Sequence, residues 1–201
     1  MDTRKWITLM AVVLFLGGFS PTEACRCILN HPQRSYCKDN AALKMKFLEA
    51  TTRTVPGSQN VQKGFKVEVD MVLKGNEALK SVTFISTLTG TSCEYTHPSN
   101  EFHKDYFITA SVNNNDASVH GCNYIVPWNE LTLEQRKGVE GAYNKGCACE
   151  IISCTSQPCS TPEKTCVIEE YNGGDSEDQL KNQVCVLINP NTCEWKDIVE
   201  D

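Results

Sequence analysis

Twelve cysteines, an even number, constrain this 201-residue chain more than any other feature. All of them follow the only long apolar run, Trp6 to Phe19, which Arg4 and Lys5 precede and the small residues Thr22 and Ala24 follow. A basic start, a short apolar stretch and small residues at −3 and −1 of a cut before Cys25 predict a secretory signal peptide over residues 1–24. The run is short for a membrane span of about 20 residues, so a chain anchored in or crossing a membrane is not expected. Export places the thiols in an oxidising compartment, and twelve of them then imply six disulfides. Spacing does not choose among the roughly ten thousand possible pairings. No C-x-x-C pair exists, the nearest patterns being Cys25-x-Cys27 and Cys147-x-Cys149, so a structural zinc ribbon is not expected.

The cysteines also mark a boundary. Five are spread over residues 25–122 and seven crowd into 147–193. The first stretch carries the strand signals: Ala42–Thr51 and Phe65–Met71 alternate apolar with polar residues, and Lys80–Ser86, Asp105–Ala110 and Cys122–Val126 are β-branched or aromatic. Five short antiparallel strands with loops of unequal length predict an all-β dominated fold with minor α, closed into a small barrel that leaves no exposed edge. Pro32 is placed to open a short helix reaching Cys37. Thr132-Leu-Glu-Gln135 has the form of a capping box, predicting a helix toward Tyr143 that Gly138 and Gly141 weaken and Gly146 stops. Past Cys149 the chain is turn-rich, with Asn172–Asp175 read as a loop between two β-segments. Such a short stretch can hardly bury a sufficient core alone, so it reads as a stapled second module.

Charge and motifs exclude more than they assign. With 19 Lys+Arg against 25 Asp+Glu the net charge is −6, and without a basic run nucleic acid is not an expected partner. The histidines stand as His31-Pro32, His97-Pro98, His103-Lys104 and His120-Gly121, so there is no H-E-x-x-H; G-x-S-x-G, a P-loop and G-x-G-x-x-G are absent as well. With every thiol assigned to a disulfide, a nucleophilic cysteine is not expected either. The chain does not read as an enzyme, and the histidines read as structural.

From Cys25 to Cys37 the sequence C-R-C-I-L-N-H-P-Q-R-S-Y-C resembles the opening of the tissue inhibitors of metalloproteinases, and Lys74-Gly75, Tyr106, Ile125–Trp128 and Gly146-Cys147-x-Cys149 resemble further landmarks of that family. The resemblance implies a netrin-like module over residues 25–147, built on a five-stranded OB-fold barrel with flanking helices, and a small disulfide-rich β module over 148–201. It implies the pairs Cys25 with Cys93, Cys27 with Cys122, Cys37 with Cys147, Cys149 with Cys193, Cys154 with Cys159, and Cys166 with Cys185. It also implies a secreted, extracellular, monomeric inhibitor of zinc metalloendopeptidases of the matrix metalloproteinase type or related ones. The inhibitor needs no cofactor of its own, because the zinc is that of the protease. Cys25 would reach that zinc through its free amine and carbonyl oxygen, with Arg26, Cys27, Ile28, Thr91, Ser92 and Cys93 forming the rest of the contact. Two positions depart from the family pattern. Arg26 stands where a small Ser or Thr is usual at the protease's specificity pocket, which narrows the expected targets, and Leu29 replaces a proline. The other reading, from a different class, is a netrin-type binding or signalling protein that inhibits nothing and acts through a cell-surface or matrix partner, which the C-terminal module could also engage.

Overall fold

A computed structural model describes residues 25, 27, 31–55, 57–114, 116–169 and 174–198. The signal-peptide reading of 1–24 falls outside them, as do Arg26, Ile28 and Leu29. Among the described residues no helix is long and apolar enough to cross a membrane.

The fold is dominated by strands, as its alternating sequence predicts. Helix α1 (Pro32–Lys38) leads into β1 (Ala41–Thr54) and β2 (Val61–Lys74), a long antiparallel ribbon. After a 3₁₀ turn (Glu77–Ser81) come β3 (Phe84–Thr87), β4 (Asp105–Asn113), β5 (Asp116–Val119) and β6 (Ile125–Pro127). These six strands form one sheet in the order β1-β2-β3-β5-β4-β6, and β1 also pairs with β4. The pairings therefore run around a ring of five strands; four of the five pairings are antiparallel as expected, but β3 and β5 pair in parallel, because the chain returns from β4 by a tight hairpin that brings β5 alongside β3 in the same direction.

Two further sequence expectations are corrected here. The segment Lys80–Ser86 is partly 3₁₀ turn, with β3 only beginning at Phe84. The ring takes its fifth strand from Asp116–Val119 rather than from Cys122–Val126, of which only Ile125–Val126 lies in a strand, β6. Asp116-Ala-Ser-Val119 is too short and polar to stand out, yet β5 pairs on both sides, with β3 and with β4.

Strand alternation sorts side chains onto two faces. Leu43, Met45 and Phe47 of β1, Phe65, Val67 and Val69 of β2, and Tyr106, Ile108 and Ala110 of β4 point into one buried cluster. Ala42 and Phe107, on the opposite face, join a second cluster with Tyr36 of α1, Leu131, Val139 and Tyr143. Each large apolar side chain removed from water this way contributes about 1.5–3 kcal/mol.

Helix α2 (Leu133–Lys137) starts with a full capping box, Thr132 accepting from the Gln135 N–H and Gln135 accepting from the Thr132 N–H. It then widens into a π-turn (Gly138–Ala142) and one further helical turn (Tyr143–Lys145). Gly138 faces the Tyr143 ring so closely that a Cβ there would collide with it.

Beyond Cys147 lie two small sheets. Strands β7 (Glu150–Cys154) and β8 (Thr165–Glu169) pair in parallel, and β9 (Gln183–Asn189) and β10 (Thr192–Asp197) form a hairpin. Between them runs α3 (Gly174–Asn182), where the sequence suggested only a loop at Asn172–Asp175; the helix takes Gly174 and Asp175, and Asn172 and Gly173 lie outside the described residues. Its one aliphatic residue, Leu180, gave no 3.6-residue apolar period to read.

Candidate functional site

The N-terminal end of the described chain is held at two successive odd positions. Cys25 is bonded to Cys93 and Cys27 to Cys122, with Cα separations of 4.9 and 5.2 Å. The two crosslinks touch, the Cys25 and Cys122 sulfurs being 3.3 Å apart. Three sulfurs here lie within ligand distance of one another, as do those of Cys149, Cys185 and Cys193, but all are in disulfides and offer no thiolate to a metal.

Thr91 and Ser92, both exposed, stand directly before Cys93. Their turn is tightly bonded: the Cys93 N–H donates to Thr91 Oγ1 at 3.2 Å, the Glu94 N–H donates to Thr91 O at 3.1 Å, and the Gly121 N–H donates to Cys93 O at 2.8 Å. The structure thus gathers Cys25, Cys27, Thr91, Ser92 and Cys93 at one end of the sheet. Arg26 and Ile28 lie outside the described residues.

The motif His31-Pro32-Gln33 serves a different purpose. His31 caps α1 and is fully buried. Its Nδ1 accepts the Gln33 N–H at 3.1 Å, which leaves the proton on Nε2 to donate to Gln179 O of α3 at 2.9 Å. Burial disfavours the imidazolium and lowers the pKa to about 4. Gln33 uses both ends of its amide on one residue of β9, donating to Cys185 O at 2.7 Å and accepting the Cys185 N–H at 2.8 Å. Gly146 lies against the same pair, and a Cβ there would collide with Cys185 O and Gln33 Nε2. These residues join the region before Cys147 to the region after it.

A family model described as "Tissue inhibitor of metalloproteinase" matches residues 23–195. The chain belongs to this family. Among its relatives, Metalloproteinase inhibitor 3 of Scyliorhinus torazame is 30% identical, covering 96% of this chain and 91% of that protein. Metalloproteinase inhibitor 4 of Mus musculus is 28% identical over 78% of this chain and 71% of its own length. Metalloproteinase inhibitor 3 of Gallus gallus is 28% identical over 94% of this chain and 91% of its own length. The relatives are thus named as inhibitors of enzymes rather than as enzymes.

In this tissue-inhibitor chain two further residues were not singled out as site residues from sequence. Lys74 donates from one ammonium to the carbonyls of Tyr36, Cys37 and Asp39, at 2.5, 3.1 and 2.7 Å, and so caps the C-terminal end of α1. Desolvation lowers its pKa, while the Asp39 carboxylate opposes the shift. Glu94 follows Cys93; its carboxylate accepts the Gly90 N–H at 3.1 Å and pairs with Lys63 of β2 at 3.5 Å. No sequence motif marks it, because its partners come from a turn and from a strand 31 positions earlier.

Proposed function

We propose that this chain inhibits zinc metalloendopeptidases of the matrix metalloproteinase type, and that it does so by presenting Cys25 to the protease's catalytic zinc. Family membership over residues 23–195 carries the reading. The double anchorage of Cys25 and Cys27, with exposed Thr91 and Ser92 beside them, supports it.

Removal of residues 1–24 frees the amine of Cys25, which with its own carbonyl oxygen forms a five-membered chelate. That donor pair suits the open position of a catalytic zinc, which supplies the Lewis acid there. Two adjacent disulfides hold the segment, so little freedom is lost on docking. Arg26 enters the pocket that receives the residue after the scissile bond. Its apolar stem tolerates such a pocket only if the guanidinium reaches water or a carboxylate, which narrows the range of proteases accepted.

The ring of pairings, closed by a parallel β3–β5 contact, supports an OB-fold reading for residues 25–147, with 148–201 as a smaller second module in a secreted protein. The test uses folded protein beginning at Cys25 against a panel of metalloendopeptidases, beside the same protein with one added N-terminal alanine. Strong inhibition lost on extension, and weakening as pH falls below about 7 where the amine is protonated, is the expected result. Inhibition that survives extension would overturn chelation by Cys25. Absence of inhibition in both forms would favour the netrin-type binding reading.

A further inference from the structure

The turn that carries the exposed Thr91 and Ser92 follows the end of β3. Its neck is closed where the Thr87 hydroxyl donates to Tyr95 O at 3.3 Å and accepts the Tyr95 N–H at 3.0 Å. Between the returning chain and the β1–β2 ribbon lies a solvent-open pocket of about 300 Å³, lined by Thr52 and Gly64 of the ribbon and by Thr87 and Tyr95. Side-chain packing does not fill the space between the turn and the ribbon. Glu94 bridges it.

One carboxylate oxygen of Glu94 accepts the Gly90 N–H and the other faces Lys63 Nζ. Glu94 is the more sheltered partner, with 28% of its side chain exposed against 62% for Lys63. The disulfide fixes Cys93, and the two bonds to Thr91 set the local curvature, but none of them reaches Gly90. That residue sits at φ +70°, in the left-handed region, at the far end of the same turn. A turn fixed at Cys93 alone could swing Thr91 and Ser92 relative to Cys25.

We infer that Glu94 is a positioning residue for the inhibitory edge. Its carboxylate closes the Gly90–Glu94 turn, sets Thr91 and Ser92 in register with Cys25, and through Lys63 ties the edge to the β1–β2 ribbon. The inference rests on the reading above that this edge meets the protease. Glu94→Gln separates its two contacts, because it keeps an acceptor oxygen for the Gly90 N–H and loses the charge facing Lys63.

The test compares folded protein beginning at Cys25 with Glu94→Ala, Glu94→Gln and Lys63→Ala. It measures inhibition of a metalloendopeptidase catalytic domain that the parent inhibits, and hydrogen exchange at the Gly90 amide. Glu94→Ala is expected to weaken inhibition about tenfold, chiefly by slower association, and to speed Gly90 exchange about tenfold at an unchanged melting temperature. Glu94→Gln is expected to restore both to within about threefold, and Lys63→Ala to have the smaller effect of an exposed pair, about twofold. Parent-like inhibition by Glu94→Ala overturns the inference, and so does unchanged Gly90 exchange. If the parent inhibits nothing, or keeps its potency with an added N-terminal alanine, the Cys25 reading fails instead. Gly90 exchange then decides alone whether Glu94 holds the turn: faster exchange in Glu94→Ala supports it, and equal exchange overturns it.

Discussion

The regions before and after Cys147 are both crosslinked, yet the crosslinks stand in different relations to the core. Up to Cys147 the bonds span 68, 95 and 110 positions: the first two fasten Cys25 and Cys27 to loops of a ring of strands that already encloses its own apolar cluster, and the third ties Cys37 of α1 to the end of the helical stretch that follows the ring. After Cys147 they span 44, 5 and 19 positions. There the buried cluster is itself made largely of half-cystines, with Cys149, Cys166 and Cys185 packed beside Ile151 and Ile168. A disulfide can hold a segment against a core or stand in for one, and this chain does both.

Removing crosslinks tests that contrast most strongly. In the chain-entropy account, Cys37→Ala with Cys147→Ala should cost about 5 kcal/mol, and Cys154→Ala with Cys159→Ala about 2 kcal/mol. Denaturant unfolding of both double variants at pH 7 checks this, and equal losses would erase the distinction. The joint between the regions comes next. His31 is held below its ordinary pKa, at about 4, so the unfolded chain binds the extra proton first. Its contribution is complete above about pH 6.5 and is lost progressively as pH falls toward 4, amounting to about 3 kcal/mol. Unfolding midpoints measured from pH 7 to pH 4 should show the drop in the parent, and His31→Gln should flatten it. At the small end, solvent screens the exposed Lys181–Glu177 pair on α3, so that Lys181→Ala should barely move the midpoint and respond little to salt.

Legibility followed local signal. β1 and β2 alternate over long stretches and β4 carries a β-branched and aromatic run, so their existence was readable, as were Pro32 opening α1 and the Thr132–Gln135 box. β5 and α3 were not: one is held by neighbours on both sides, and the other has almost no apolar face. The pairing of twelve cysteines cannot be read from spacing, because it is set by where folded segments meet. His31 and Gln33 were visible as a motif, but their partners Gln179 and Cys185 lie 148 and 152 positions away, and only the fold brings them together. The same holds for Glu94, whose role depends on Gly90 and Lys63 arriving beside it.

The long spans of the first three crosslinks also set an order of events. A ribosome makes Cys25, Cys27 and Cys37 first, but their partners follow 68, 95 and 110 residues later. At a synthesis rate of about 5–20 residues per second, the last of these partners trails by about 5–20 s. The leading end of the chain is therefore made first and fastened late, and throughout that interval its thiols are open to partners made earlier than the proper ones.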